Sequence, residues 1–198
     1  METLTLIIEF LKQIDRNLLL WLNGLNAPIL DVFFNEATKT RTGYPFYAIV
    51  LFYFFKTLPV IKAFKYTGLL ILCVALADIS SVHLFKNVFE RYRPSHNLEI
   101  QDMLNYVNNY RGGRYGFVSS HAANLFAIAT FVALVISNKT IITLTFIWAS
   151  VSTYSRIYLG VHYPSDILGG IILGVFIAYA VYIIFAKESN HSQLEKMK

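Results

Sequence analysis

A single cysteine, Cys73, occurs in 198 residues, and it lies inside an apolar run. This excludes an internal disulfide and any zinc site built from several cysteines, and it leaves the redox compartment open. Charge is also scarce, at 15% Asp, Glu, Lys and Arg, and there are only five prolines. No Ser/Gly/Pro-rich linker, low-complexity tract or internal repeat interrupts the chain, so one domain over 1–198 is expected. The N-terminus lacks both a basic stretch ahead of its apolar run and a small-residue cleavage site, so no removable signal peptide is expected.

Apolar residues fill the remainder. The chain is 56% hydrophobic and 16% aromatic, and the apolar residues come in blocks too long for an ordinary soluble domain. The net charge of +5 argues little for nucleic acid, because the basic residues are scattered among apolar segments. Basic cytoplasmic loops of a membrane protein account for it better.

A span takes about 20 apolar residues. Residues 66–85, 118–137 and 166–186 satisfy this, and residues 44–61 and 140–157 are shorter. Lys56 would snorkel outward from the first of the shorter pair, and Arg156 closes the second. Residues 1–43 mix apolar positions with Lys12, Asp15 and Arg16, as an interfacial amphipathic helix does; residues 18–34 offer a sixth, short span as the alternative. The expected fold is therefore an all-α, polytopic membrane bundle of five to six transmembrane helices, with an N-terminal interfacial amphipathic segment.

The loops orient it. The link 56–65, the turn 137–140 and the tail 187–198 fall on one side in a five-span count and carry most of the basic residues without another task, so that side is expected to be cytoplasmic. The loop 86–117 and the link 157–165 then share the outer face. Three clusters meet there. In KNVFERYRP (86–94), Lys86 and Arg93 are seven apart, which predicts projection from one face of a helix leaving the second span, with Pro94 ending it. In GFVSSHA (116–122), Ser119 suits a helix N-cap and His121 its first turn, where free N–H groups favour an anion. In SRIYLGVHYPSD (155–166), Arg156 closes a span, His162 sits in the link, and Pro164 and Asp166 suit the first turn of the next span. Such a cationic field repels metal and attracts phosphate. An imidazole held by a carboxylate at one nitrogen is a nucleophile or base at the other, and a second histidine can protonate a leaving oxygen. The combination points to phosphoryl transfer.

The three clusters resemble the signature of the type 2 phosphatidic acid phosphatase family, which shares its core with vanadium haloperoxidases: K-x6-RP, PSGH and S-R-x5-H-x3-D. Here these read Lys86-x6-Arg93-Pro94, Val118-Ser119-Ser120-His121 and Ser155-Arg156-x5-His162-x3-Asp166. Val118 replaces the proline and Ser120 the glycine; a serine retains the backbone N–H that the glycine position is thought to contribute. The resemblance implies that His162 attacks phosphorus to form a phosphohistidine. It implies further that Asp166 holds the far nitrogen of His162 and that His121 protonates the leaving group. Lys86, Arg93, Ser119, Ser120 and Arg156 would hold the phosphoryl oxygens, with no metal or other cofactor.

Other residues divide between functional and ordinary roles. Asp78 and His83 are ionisable groups inside a span, and Arg111 and Arg114 either touch a head group or form a solvated rim. His96 has only proximity in its favour, and His191 lies in a polar tail. Gly170 and Gly174 form a GxxxG suited to close helix packing. The expected activity is hydrolysis of a lipid phosphate monoester or diphosphate at the outer face of a bacterial inner membrane. Candidate substrates are an isoprenoid diphosphate, phosphatidylglycerol phosphate, phosphatidic acid or a lipid A phosphate. The small size, which leaves little room for a recognition domain, favours the isoprenoid diphosphate or a glycerophospholipid. A phosphotransferase to a second lipid or sugar, and a binding or transport protein without turnover, are the alternatives.

Overall fold

The structure, a computed structural model, describes residues 2–187 and is helical, with no strand among those residues. The cytoplasmic tail expected beyond Lys187, with His191, lies outside the described residues. Helix α1 (Glu2–Gly24) is followed by α2 (Pro28–Ala37), and the two axes meet at 115°. Pro28 opens α2, a position where its missing N–H costs nothing. Then come α3 (Tyr44–Thr57), α4 (Val60–Ser80, prolonged through a π turn over Ser81–Lys86 to Phe89), α5 (Ser120–Val135), α6 (Lys139–Tyr158) and α7 (Pro164–Val181, prolonged to Ala186).

The caps follow from local chemistry. Ser119 caps α5 by accepting from the Ala122 amide, and Asn138 caps α6 by accepting from Ile141 at 3.1 Å. At α7, Pro164 takes the first turn and Asp166 reaches back to the Tyr163 amide at 3.1 Å.

Small residues bring α4, α5 and α7 together. Cys73 and Ala77 of α4, Ala123, Ala127 and Phe131 of α5, and Ile177, Ala178 and Val181 of α7 make one buried cluster. The GxxxG of α7 packs as its spacing predicts. A methyl group on Gly170 would sit 2.5 Å from the Ser119 carbonyl oxygen, and one on Gly174 would sit 2.2 Å from that of Ala123, so only glycine admits the approach. Helix α3 adds Val50 and Phe54 against Ala63, Val132 and Ile136, while α6 contributes Ala149 against Leu125 and Ala129. Leu19 of α1 packs with Ile157, Tyr163 and Ile167, seating the N-terminal helix beside the link before α7.

Among the described residues, two helices, Val60–Phe89 and Pro164–Ala186, are long and apolar enough to cross a membrane, and α1 with α2 adds a third if the bent pair counts as one. This is coarser than five to six spans. Length limits α3, with 14 residues, and α5, with 16, about 21 and 24 Å at 1.5 Å per residue against a hydrocarbon core of about 30 Å. Helix α6 has 20 residues but is less apolar, with Lys139, Arg156 and several Thr and Ser along it. The outward side chains are apolar nonetheless, among them Ile61, Ile71, Ile172 and Phe176. The N-terminal segment forms two helices, and the polar stripe of α1 turns partly inward: Asp15 and Asn23 are buried against the loops that end the other helices.

Candidate active site

All three motifs converge where α4 and α6 end and α5 and α7 begin. The approach of Lys86 and Arg93 differs from the expected single helix. The helix stops at Phe89, Glu90 takes a left-handed conformation (φ 45°), and residues 91–93 run extended, with Tyr92 bridged to Tyr115. Pro94 forces this at its predecessor: Arg93 has ψ 154° because the proline ring excludes a helical residue before it. Lys86 therefore reaches in from the helix and Arg93 from the loop.

Arg93 is buried. Its Nε donates to the Tyr115 carbonyl at 3.0 Å, while its Nη1 is buried without a partner. Burial, with Arg156 nearby, pushes its pKa down to about 10, still cationic at neutral pH. Arg156 is buried as well. It donates from Nη1 to Thr38 at 2.5 Å and from Nη2 to the Tyr110 hydroxyl at 3.1 Å, leaving its Nε unpartnered. Buried guanidinium N–H groups are costly to leave unpartnered, and two of them at one place can hold an anion.

His162 is 1% exposed, and its backbone amide donates to the Arg156 carbonyl at 3.2 Å, which ties the link to the end of α6. Its Nδ1 lies 3.3 Å from Asp166 Oδ2. With the carboxylate accepting, Nδ1 carries the hydrogen and Nε2 keeps its lone pair. Burial first, then Arg93, Arg156, Lys86 and His121, hold His162 well below the usual imidazole range, so it is neutral in the free protein. Asp166 is fully buried and also accepts from Arg91 Nη1 at 2.9 Å. Gly116 makes room for it: a methyl group there would lie 2.7 Å from Asp166 Oδ2.

His121 meets Ser152 through Nε2 at 2.9 Å, and Ser152 Oγ donates to the Ala37 carbonyl at 2.8 Å. A hydroxyl has one hydrogen, so Nε2 of His121 must carry its own. The same count applies to Ser120. Ser81 donates to the Asp78 carbonyl at 2.8 Å, so Ser120 donates to Ser81 at 2.6 Å, and it accepts from Lys86 Nζ at 2.5 Å. The Ser120 side chain is thus spent on holding Lys86. Ser119 is fully buried, with its amide on the Asp166 carbonyl oxygen at 3.0 Å.

The remaining sequence candidates stand aside. His83 is exposed, and Asp78 accepts from Asn124 at 3.3 Å. His96 touches Ser95. Arg111 lies over the Tyr106 ring, while Arg114 lies over Tyr92 and donates to its hydroxyl. Asp15, Thr38, Tyr110 and Ser152 escape a reading of the sequence, since they lie outside the motifs and meet them only in the fold, and Arg91 escapes it because it fills an unspecified position of the first motif. The one signal was the arginine-rich run itself, in which Arg91 sits two residues before Arg93.

Known proteins are similar to this chain over most of its length. The description of the PAP2 superfamily matches residues 66–190, more than half of the chain. A lipid A 4'-phosphatase of Porphyromonas gingivalis is 38% identical over 90% of this chain and 75% of its own. One from Bacteroides thetaiotaomicron is 35% identical over 91% of this chain and 80% of its own. The crystal structure of Aquifex aeolicus LpxE superposes with a TM-score of 0.67 at 27% identity, covering 83% of this chain and 92% of that one. A transmembrane PAP2-type phosphatidylglycerolphosphate phosphatase from Bacillus subtilis gives the same TM-score at 21% identity, covering 89% and 87% of the two chains, a likeness of fold. With its three motifs brought together at one end of the bundle and this match over most of its length, the chain belongs to the PAP2 superfamily.

Proposed function

We propose that this membrane lipid phosphatase removes a phosphate from a lipid A-type glycolipid, at the outer face of a bacterial inner membrane, through a phosphohistidine on His162. The observation that carries the chemistry is the Asp166–His162 hydrogen bond beside two buried arginines with unpartnered N–H groups. The two lipid A 4'-phosphatases, similar over nine-tenths of this chain, favour that substrate over the isoprenoid and glycerophospholipid classes suggested by size alone.

The phosphoryl oxygens lie against Arg93, Arg156, Lys86 and the first amides of α5, whose N–H groups the helix leaves unused. Nε2 of His162 attacks phosphorus as the P–O bond to the lipid breaks. Because Nε2 of His121 already donates to Ser152, the proton for the departing alkoxide passes through Nδ1, which takes it up in the imidazolium form that the bound phosphate anion stabilises. A water then gives its proton back to His121 and attacks phosphorus. The P–N bond breaks, and inorganic phosphate and free His162 result. Ser119 contributes its hydroxyl to a phosphoryl oxygen, whereas Ser120 acts through Lys86.

The membrane arrangement proposed has five spans, α3 to α7, with α1 and α2 at the interface. Lys56, Lys62, Lys65 and Lys139 sit at the helix ends opposite the site and favour the cytoplasm there. Labelling a cysteine placed at the exposed position of Arg114 from outside intact cells is expected to succeed; labelling only after permeabilisation reverses the orientation.

The decisive assay is phosphate release in detergent micelles containing EDTA, from lipid A and a panel of other lipid phosphates, with wild type beside His162→Ala. Release by wild type alone, fastest from lipid A, is expected. A different leading substrate replaces the substrate class, and tight binding without release by either protein replaces the reaction.

A further inference from the structure

Arg91 lies inside the first motif, at one of the six positions between Lys86 and Arg93 that the signature leaves open. Its Nη1 donates to Asp166 Oδ1 at 2.9 Å and to Ser165 Oγ at 2.6 Å, its Nη2 donates to Asp15 Oδ2 at 2.7 Å, and its guanidinium lies 4.1 Å from the Tyr163 ring centroid. Asp15, on α1, in turn accepts from the Ser165 amide at 2.9 Å and from its hydroxyl. A carboxylate from the N-terminal helix and an arginine from the loop therefore close a ring of polar contacts around the start of α7.

The contact bears on His162. Asp166 offers Oδ2 to His162 and to the Tyr163 amide, and at 3.3 Å the bond to His162 is long, so the carboxylate's rotation decides whether it holds. Arg91 pins the other oxygen and so fixes that rotation. It also supplies a countercharge to a carboxylate with no access to water, where an unpaired charge is expensive. Arg93 and Lys86 also act on Asp166 electrostatically, yet neither is hydrogen-bonded to it. Unlike Arg93 and Arg156, whose idle N–H groups await an anion, Arg91 has both terminal nitrogens committed to protein.

We propose that Arg91, seated by Asp15 of α1, is a positioning residue that locks the Asp166 carboxylate against His162, which makes the N-terminal helix part of the phosphoryl-transfer apparatus. The proposal rests on the reading of His162 as nucleophile. It places Arg91 behind the reacting atoms, so its loss slows chemistry and spares phosphate binding.

The test is a double-mutant cycle on the full chain in detergent micelles, with wild type and His162→Ala as anchors. Arg91→Met keeps the stem on Tyr163 and removes the charge. Its kcat should fall about 30- to 100-fold, while KM and inhibition by inorganic phosphate stay within about threefold. Arg91→Lys should recover part of the loss. In an Asp166→Asn background the same Arg91→Met change should cost less than about threefold, because the group it acts through is gone. An equal loss with and without the carboxylate overturns the proposal, as does a change confined to KM and phosphate inhibition. If Arg91→Met does not fold, Asp15→Asn replaces it: a smaller fall in kcat that vanishes in the Asp166→Asn background supports the proposal, and one that persists there overturns it. Wild type no faster than His162→Ala on every lipid phosphate sinks the underlying function instead, and this proposal with it.

Discussion

The two ends of the bundle solve opposite problems. Where α4, α5 and α7 meet below the site, contact is made by alanine, glycine and apolar side chains, and shape alone decides what fits. At the site end, Arg93, Arg156, His162 and Asp166 are all buried, and all but His162, whose partners lie within six residues, draw hydrogen bonds from distant segments. The stem is limited by atoms added at its glycine contacts, and the site end by the partners of its buried charges. The stem's stability derives from close approach, whereas the site end costs stability to hold like charges together.

The sharpest break in that contrast is steric. Gly174→Leu, whose first carbon would lie 2.2 Å from the Ala123 carbonyl oxygen, should cost more than about 3 kcal/mol and leave little folded protein after mild heating in detergent. Gly68→Ala is the control in the same helical layer. Nothing lies within 4 Å of the added methyl, so stability should hold or rise by up to about 1 kcal/mol. Equal damage from both would mean that the stem is not packed by shape.

At the site end, Ser152→Ala removes the acceptor that orients His121. It should lower kcat about tenfold or more with little change in KM, and an unchanged kcat would detach Ser152 from the acid. A pH effect should be milder. His162 is held well below its ordinary value in the folded protein, chiefly by burial. The unfolded chain therefore takes up a proton below about pH 6.5 that the folded one refuses. This contribution leaves stability intact above about pH 6.5 and erodes it as pH falls further, by up to about 1.4 kcal/mol per pH unit. Melting temperatures from pH 7 to pH 5 should fall less steeply for His162→Asn, and added inorganic phosphate should blunt the wild-type slope. The smallest effect belongs to Ser120→Gly, which restores the signature residue and frees Lys86 Nζ; turnover should stay within about threefold.

What the sequence made legible was local. Ser119 as a cap, His121 one residue into α5, and Pro164 and Asp166 in the first turn of α7 follow from neighbouring residues. The path from Lys86 to Arg93 was misread because the turn at Glu90 is left-handed without a glycine or asparagine to announce it. Pro94 held the better clue, one residue after Arg93. The partners of the motif residues were invisible for another reason: Asp15 to Arg91 spans 76 positions, Ser152 to Ala37 spans 115, and Arg156 to Thr38 spans 118. Their contacts exist only after α1 and α2 fold back across the site. Apolar content likewise foretold a membrane protein, but it did not foretell helices as short as α3 and α5.

The bare flank of α7 has a consequence for the reaction itself. Gly170 rests on the Ser119 carbonyl, and the Ser119 amide rests on the Asp166 carbonyl, so α5 and α7 are gauged against each other at the level of the chemistry. His121 rides on one helix, and His162 is coupled to the other through Asp166. On the proposed roles, the spacing between proton donor and nucleophile is therefore referenced to two peptide backbones in direct contact. In a fluid bilayer that jostles every outward residue, such a contact would keep the two halves of the proposed reaction in register.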